Sequence, residues 1–317
     1  MSKPPWAAPL LTALGGLAGC AAACVGFGVV VERNAFRLRR VHVPVLPAGH
    51  APIRVLHISD LHLLASQRKK IAWVEELAAC EPDFIVNTGD NIASPDALPA
   101  LARALSPLSG IPGVFVFGSN DLHGPSPINP LKYLFPRKAS SEGAPLPTAA
   151  MVQFLESCGW ANAEQHRLVY HLKDSVLEIR GCGDAHIGLD DYAAVMDPPV
   201  DPALVQHTGL MGGTPPPGED LLIAVTHAPY MRVLDQMADD GAGLILAGHT
   251  HGGQVCLPNG HALTTNCDLP CSQAKGLSTH GQAYLHVSAG LGTSPYAPYR
   301  FCCPPEASLL TLAPRIV

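Results

Sequence analysis

The chain has 317 residues, 47% of them hydrophobic and 15% charged, with a formal net charge of -6. That balance excludes general disorder and suffices for one large core or two modest ones. It gives no global pull toward polyanions, so no nucleic-acid partner is expected. Ten cysteines form no CxxC pair, and buried reduced thiols are expected rather than a disulfide framework.

From Leu10 to Val31 the chain runs 22 residues without a charge, long enough to cross a bilayer as a helix. Arg33, Arg37, Arg39 and Arg40 follow, against Lys3 alone on the other side, which places the main domain on the cytoplasmic face of a single-pass membrane protein. "LAGC" at 17–20 resembles a lipoprotein acceptor with Cys20 as the lipidated residue, but the residues after it stay apolar; a lipoprotein or exported form is the alternative. Residues 1–41 thus read as membrane anchor and basic flank, 42–52 as a linker and 53–317 as one α/β domain.

Within that domain short apolar runs alternate with helical patterns. Strands are expected at 53–59, 83–87, 114–117, 168–171, 176–180, 221–226, 244–247, 284–288 and 308–312. Helices are expected at 68–80, 95–105, 149–157 and 230–237, the first with Ile71, Val74, Leu77 and Ala78 on one face. The proline-rich stretch 124–147 reads as a long loop, either a lid or an insertion.

The strand ends carry the chemistry. The run at 53–59 leads into Asp60 and His62, 84–86 into Asp90, 114–117 into Asn120, 222–225 into His227, and 244–247 into His249 and His251. In an open α/β sheet the carboxyl ends of strands line one crevice, so these residues can converge there. Singly, an aspartate after a strand is a turn or cap, and a histidine is more often structural than a ligand. Caps do not call for one Asp-x-His and one His-x-His pair plus a third histidine. Oxygen and imidazole donors together suit Mn²⁺, Fe²⁺ or Zn²⁺.

The motifs "DLH" at 60–62, "GDN" at 89–91, "GSND" at 118–121, "THAP" at 226–229 and "GHTHGGQ" at 248–254 resemble, in order and spacing, the calcineurin-like metallophosphoesterase superfamily, over residues 53–312. The apolar N-terminus and "SAGLGTSPYAPYR" at 288–300 are similar to membrane-anchored or exported bacterial members. The resemblance implies two mixed β-sheets packed as a sandwich flanked by helices, preceded here by a transmembrane helix. It implies a phosphoester hydrolase with two divalent cations, roughly 3.5–4 Å apart. Asp60, His62 and His251 would hold one, His227 and His249 the other, Asp90 would bridge them and Asn120 would complete the second site. The pair would bind phosphate oxygens, lower the pKa of a bridging water and deliver hydroxide to phosphorus.

The sequence departs from the family at "GSND", where Gly-Asn-His-Asp or Gly-Asn-His-Glu is usual. Without a gap, Ser119 stands at the ligand position; aligned by chemistry, Asn120 does. The histidine near the leaving group is then missing or displaced to His123. The resemblance implies a monoester, diester or pyrophosphate as substrate, lipid-linked if the anchor reflects its location. The alternative is a metal-binding regulatory or scaffold protein with reduced turnover. Among other polar residues, His57 reads as a core histidine, His186 as a turn residue or phosphate contact, Arg300 as a structural cation or phosphate contact, and Asn91 as a support for Asp90.

Overall fold

The computed structural model describes residues 7–126, 143–196, 205–207 and 220–315, with backbone alone at 7–15, 17, 18 and 205–207. Its strands are β1 (Arg37–Leu46), β2 (Ile53–Ile58), β3 (Phe84–Asn87), β4 (Gly113–Phe115), β5 (Trp160–Asn162), β6 (Arg167–Leu172), β7 (Ser175–Gly181), β8 (Val205–His207), β9 (Leu221–Val225), β10 (Leu244–Ala247), β11 (Gly276–His280), β12 (Ala283–Val287) and β13 (Glu306–Pro314). The helices are α1 (Ala7–Val30), α2 (Arg68–Glu75), α3 (Leu98–Leu105), α4 (Ser119–Leu122), α5 (Thr148–Ser157), α6 (Ala193–Met196) and α7 (Met231–Asp239).

Two mixed sheets result, ordered β1-β13-β2-β3-β4-β5 and β11-β12-β10-β9-β7-β6-β8. In the first, β2, β3, β4 and β5 run parallel, while β13 is antiparallel to β2 and parallel to β1. In the second, β7, β9, β10 and β12 are parallel, and β11 and β6 are antiparallel to their neighbours β12 and β7.

Side-chain periodicity explains the layering. Strand β6 buries Leu168, Tyr170 and Leu172 on alternate positions, a half-exposed strand, whereas β3, β9 and β10 are buried throughout, as parallel strands covered on both faces are. Val55, Val86 and Val114 from the first sheet meet Ile179, Ile223 and Leu246 from the second in one apolar layer. The Tyr170 hydroxyl, inside that layer, donates to the Gly113 carbonyl at 3.1 Å. On the outer faces, Ile71, Leu101 and Leu155 from α2, α3 and α5 cover the first sheet, and Val233, Leu234 and Met237 from α7 cover the second.

The expected strands and helices form, within a few residues at their ends. Residues 37–46, expected as flank and linker, instead form edge strand β1, paired in register with β13 from Arg37 to Pro44. The reason lies in Val43 and Val45, which face the inter-sheet layer while Arg37, Arg39 and Arg40 stay exposed. Strands β5, β8 and β11 are additional; β5 has three residues and β11 lies at a sheet edge, with little apolar periodicity to announce them. All described cysteines are free thiols.

Helix α1 coincides with the expected membrane segment. Among the described residues, however, no helix is long and apolar enough to cross a membrane. The anchor expectation therefore has no support there, and the side chains of 10–15, 17 and 18 lie outside the description. The end of α1 rests on the domain: Arg300 donates its backbone N–H to the Gly28 carbonyl at 3.3 Å, and the buried Glu32 carboxylate accepts from the backbone of Cys302 and Cys303 at 3.0 and 2.7 Å. Most of the expected loop at 124–147, residues 127–142, also lies outside the described residues.

Leu246 is fully buried between the sheets. Leu246→Ala is expected to cost about 2–5 kcal/mol in urea unfolding, because the layer cannot collapse into the void; a loss under about 1 kcal/mol would contradict this packing.

Candidate metal centre

The loops after β2, β3, β4, β9 and β10 meet at one edge of the sandwich. Asp60, His62, Asp90, His249 and His251 all have left-handed backbone, with φ of 50°, 39°, 57°, 69° and 50°. Such φ values are unfavourable for side-chain-bearing residues and persist only where the surroundings enforce them. Here the backbone of the first loop is zipped to the second: Asp60, His62 and Leu63 donate to the carbonyls of Gly89, Asp90 and Asn91 at 2.8, 2.9 and 3.0 Å. Two glycines make room. A Cβ at Gly118 would collide with Asp90 Oδ1 and the His227 ring, and one at Gly248 with Ser59 Oγ and Asp60 Oδ2.

The donors converge in two groups, Asp60 with His62 and His251, and Asp60 with Asp90 and His227, each with its ligand atoms within 4.8 Å of one another. Asp90 Oδ2 lies 3.3 Å from His62 Nε2 and 3.6 Å from His227 Nε2, so Asp90 sits between the groups. His62 Nε2 and His251 Nε2 face each other at 3.2 Å. Two imidazole lone pairs at that separation repel unless a proton or a cation lies between them. His227 donates through Nδ1 to the Thr88 carbonyl at 2.6 Å, which turns its Nε2 toward Asp90, and that buried Nε2 has no hydrogen-bond partner. A metal cation fits this donor set: oriented imidazoles, carboxylates and an orphaned buried nitrogen.

Charge behaviour agrees. Burial lowers His62 to about 4 and holds His249 and His251 well below the usual imidazole range, so all three are neutral donors at neutral pH. Burial opposes charge on His227 too, but the carboxylates of Asp90, Asp184 and Asp60 outweigh it and lift the group to about 10. Burial would raise Asp90; His227, His62 and hydrogen bonds from Asn120 override it and keep the carboxyl ionised. Burial, with the neighbouring Asp90, raises Asp60 to about 6.

A buried relay supports Asp60 from behind. His286 Nδ1 and His57 Nδ1 are 3.0 Å apart, His57 Nε2 is 3.0 Å from Thr88 Oγ1, Thr88 donates to Ser59 Oγ at 2.7 Å, and Ser59 to Asp60 Oδ2 at 2.5 Å. His57 is thus a core histidine, bonded to side chains rather than to backbone. Asp121 holds the other loop, accepting from the backbone of Asp90, Asn91 and Gly118 at 2.6, 2.7 and 3.0 Å. Asn91, expected to support Asp90, donates instead to Asp121 at 3.1 Å, so its link to Asp90 runs through Asp121.

The remaining candidates separate. Asn120 lies against the centre, its backbone N–H and side-chain amide 2.8 and 2.9 Å from the two Asp90 oxygens. His249 is beside His227, with ring centroids 5.3 Å apart, but outside both donor groups, its Nε2 being 3.3 Å from the Asn266 carbonyl. His123 ends α4 and its backbone bridges to Pro145; it belongs to neither donor group. Arg300 is fully buried and donates to the carbonyls of Ala289, Gly290 and Gly292, a structural role that withdraws it from phosphate. His186 lies tilted against His249, with ring centroids 4.5 Å apart, and shares a 3.0 Å contact with the Tyr230 hydroxyl. Asp121, Asp184 and the Thr88–Ser59 pair are residues that sequence reasoning missed. The run from Ser59 to Asp60 and the "GSND" aspartate were visible, but nothing in their spacing announces a hydrogen-bond chain.

The calcineurin-like phosphoesterase family profile matches residues 53–253. The chain belongs to that family. Among curated relatives, it is 24% identical over 282 residues to the uncharacterized metallophosphoesterase YkuE of Bacillus subtilis (strain 168), covering 84% of this chain and 82% of the relative. It is 25% identical over 299 residues to the phosphodiesterase YaeI of Escherichia coli (strain K12), covering 90% and 93%. The solved structure of TT1561 of Thermus thermophilus aligns with a TM-score of 0.40 at 14% identity, over 76% of this chain and 91% of that one.

Two outcomes follow from this geometry. Ser59→Ala, which removes the donor to Asp60, is expected to weaken Mn²⁺ or Zn²⁺ affinity by about 10–100-fold in calorimetric titration while leaving the fold intact; unchanged affinity would remove the relay from the account. At pH 8, below about 10, metal-free His227 carries a proton that metal must displace. Wild type should therefore release about one proton more per filled centre than His227→Ala, as read from titrations in buffers of different ionisation enthalpy, and the excess should vanish above about pH 10. Equal release at pH 8 would contradict the assignment.

Proposed function

We propose that the chain is a metal-dependent phosphoester hydrolase working with two divalent cations, Mn²⁺, Fe²⁺ or Zn²⁺. Asp60, His62 and His251 would hold one cation, His227, His249 and Asn120 the other, with Asp90 shared. The observation that carries this reading is the convergence of donors from separate strand ends on Asp90, in left-handed backbone, with His62 and His251 nitrogens facing each other. When bound, the cations supply Lewis acidity toward phosphate oxygens and water.

The protein's own contribution is placement and charge. Asp90 brings a buried negative charge that offsets cation repulsion, and the Thr88 carbonyl keeps His227 in the tautomer whose Nε2 can donate electrons. Asn120, held against Asp90, is a neutral donor and leaves more positive charge for the substrate than a carboxylate would. His123 is the proposed proton donor to the leaving oxygen, three residues after Asn120. The substrate is a phosphomonoester, diester or pyrophosphate. The uncharged run Leu10–Val31 and the arginines after it support a membrane-attached protein with its domain on the cytoplasmic side, where a lipid-linked phosphate is within reach.

The test is a panel of aryl and alkyl phosphate mono- and diesters and pyrophosphate against Mn²⁺, Fe²⁺, Co²⁺ and Zn²⁺. Wild type is expected to hydrolyse at least one, and Asp90→Asn to lose at least about 100-fold in kcat. His123→Ala should lose activity on alkyl esters and keep it on aryl esters. Wild type that binds metal yet hydrolyses nothing across the panel would favour a metal-binding regulatory or scaffold role.

A further inference from the structure

A cavity of about 290 Å³ lies where the end of α1 meets the loop and helix that follow His62. Arg33, Arg68, Lys69 and Lys70 line it together with Asn34 and Gln67, and none of its lining residues is acidic. Its volume falls just below the roughly 300–1,000 Å³ usual for ligand pockets, with room for a phosphate group.

Its electrostatics are unbalanced. Lys70 is buried and donates to the Leu61 carbonyl at 2.6 Å. Burial lowers it to about 7, and the charges that act on it beyond burial, Arg300 and Arg33, are both positive and lower it further. Arg33 gives the Pro298 carbonyl one 3.3 Å hydrogen bond, and the nearby Glu32 carboxylate is committed to the backbone of Cys302 and Cys303. Four basic side chains around one small concavity, without a carboxylate in its wall, are stabilised by an anion.

The cavity also has a boundary on each side that matters. Val30 and Val31, separated from Arg33 by the buried Glu32, are 69% and 50% exposed, so an apolar surface lies near the basic opening. On the other side, Gly292 lines the cavity and its carbonyl lies 3.2 Å from His251 Nδ1, while Lys70 grips the residue between Asp60 and His62. The basic cavity and the donor cluster share a wall.

We propose that this cavity is a second anion site that takes a phosphate group, separate from the metal centre and independent of whether that centre turns over. Guanidinium groups of Arg33 and Arg68 offer paired N–H donors to phosphate oxygens, Lys69 adds a point charge, and the Asn34 and Gln67 amides add neutral donors. The ligand chemistry is a phosphate monoester dianion, carried either by a membrane lipid headgroup or by a soluble molecule.

The test uses the full chain with chelator present, so that metal-held phosphate does not contribute. Inorganic phosphate is titrated calorimetrically into wild type, Arg68→Ala/Lys69→Ala and Lys69→Arg. Arg68 and Lys69 are exposed, so these substitutions should leave circular dichroism and unfolding midpoint unchanged. Saturable binding to wild type, weakened at least about tenfold in the double variant and retained in Lys69→Arg, is the expected result. Absence of saturable binding, or equal binding by the double variant, would overturn the proposal. In a second arm, phosphatidylcholine vesicles carrying phosphatidic acid or, at equal charge, phosphatidylglycerol are sedimented with the protein. A preference for phosphatidic acid that the double variant loses identifies a lipid headgroup as the source; phosphate binding without that preference identifies a soluble one.

Discussion

Everything at the functional edge depends on a buried, ionised carboxylate. Asp90 is almost wholly shielded from water, and an unpaired charge in such a place would cost several kcal/mol. The chain answers with His227 and His62 beside one oxygen and two donors from Asn120 on the pair. Its backbone is held in the left-handed region by Asp121, whose own carboxyl is raised to about 7 by burial and by the charge of Asp90. Asp60 brings a further buried carboxyl to the same edge, so negative charge is concentrated where the donor groups meet.

The sandwich exists to make this edge possible. Strands β2, β3 and β4 run parallel in one sheet, β9 and β10 in the other, and each ends in a loop at the same rim. Parallel strands buried on both faces leave no freedom in where their ends lie, so ligands almost 200 positions apart in the chain are fixed relative to one another. The inter-sheet layer of Val55, Val86, Ile223 and Leu246 is thus the mechanical base of the site.

Much of this was legible in the sequence. Apolar runs ending in Asp60, Asp90, His227 and His251 announce both strands and donors, because a fully buried strand needs a continuous apolar run and its end needs polar residues. Edge strand β1 was hidden by its arginines, although Val41, Val43 and Val45 alternate as a strand should. The supporting shell was not legible. Asp121, Thr88 and the His57–His286 pair act through contacts between residues far apart in sequence, and a serine or threonine after a strand has no pattern that distinguishes a relay member from a turn residue. "GSND" keeps its tension: the structure seats Asn120 against Asp90, while His123 stands beyond the donor groups.

The proposed pair of cations sharing Asp90 is open to direct observation. A crystal of the full chain grown with Mn²⁺ and measured at an anomalous wavelength tests it most directly. Two anomalous peaks are expected to flank the Asp90 carboxylate, one against Asp60, His62 and His251 and the other against His227. A single peak, or none within coordination distance of Asp90, would contradict it.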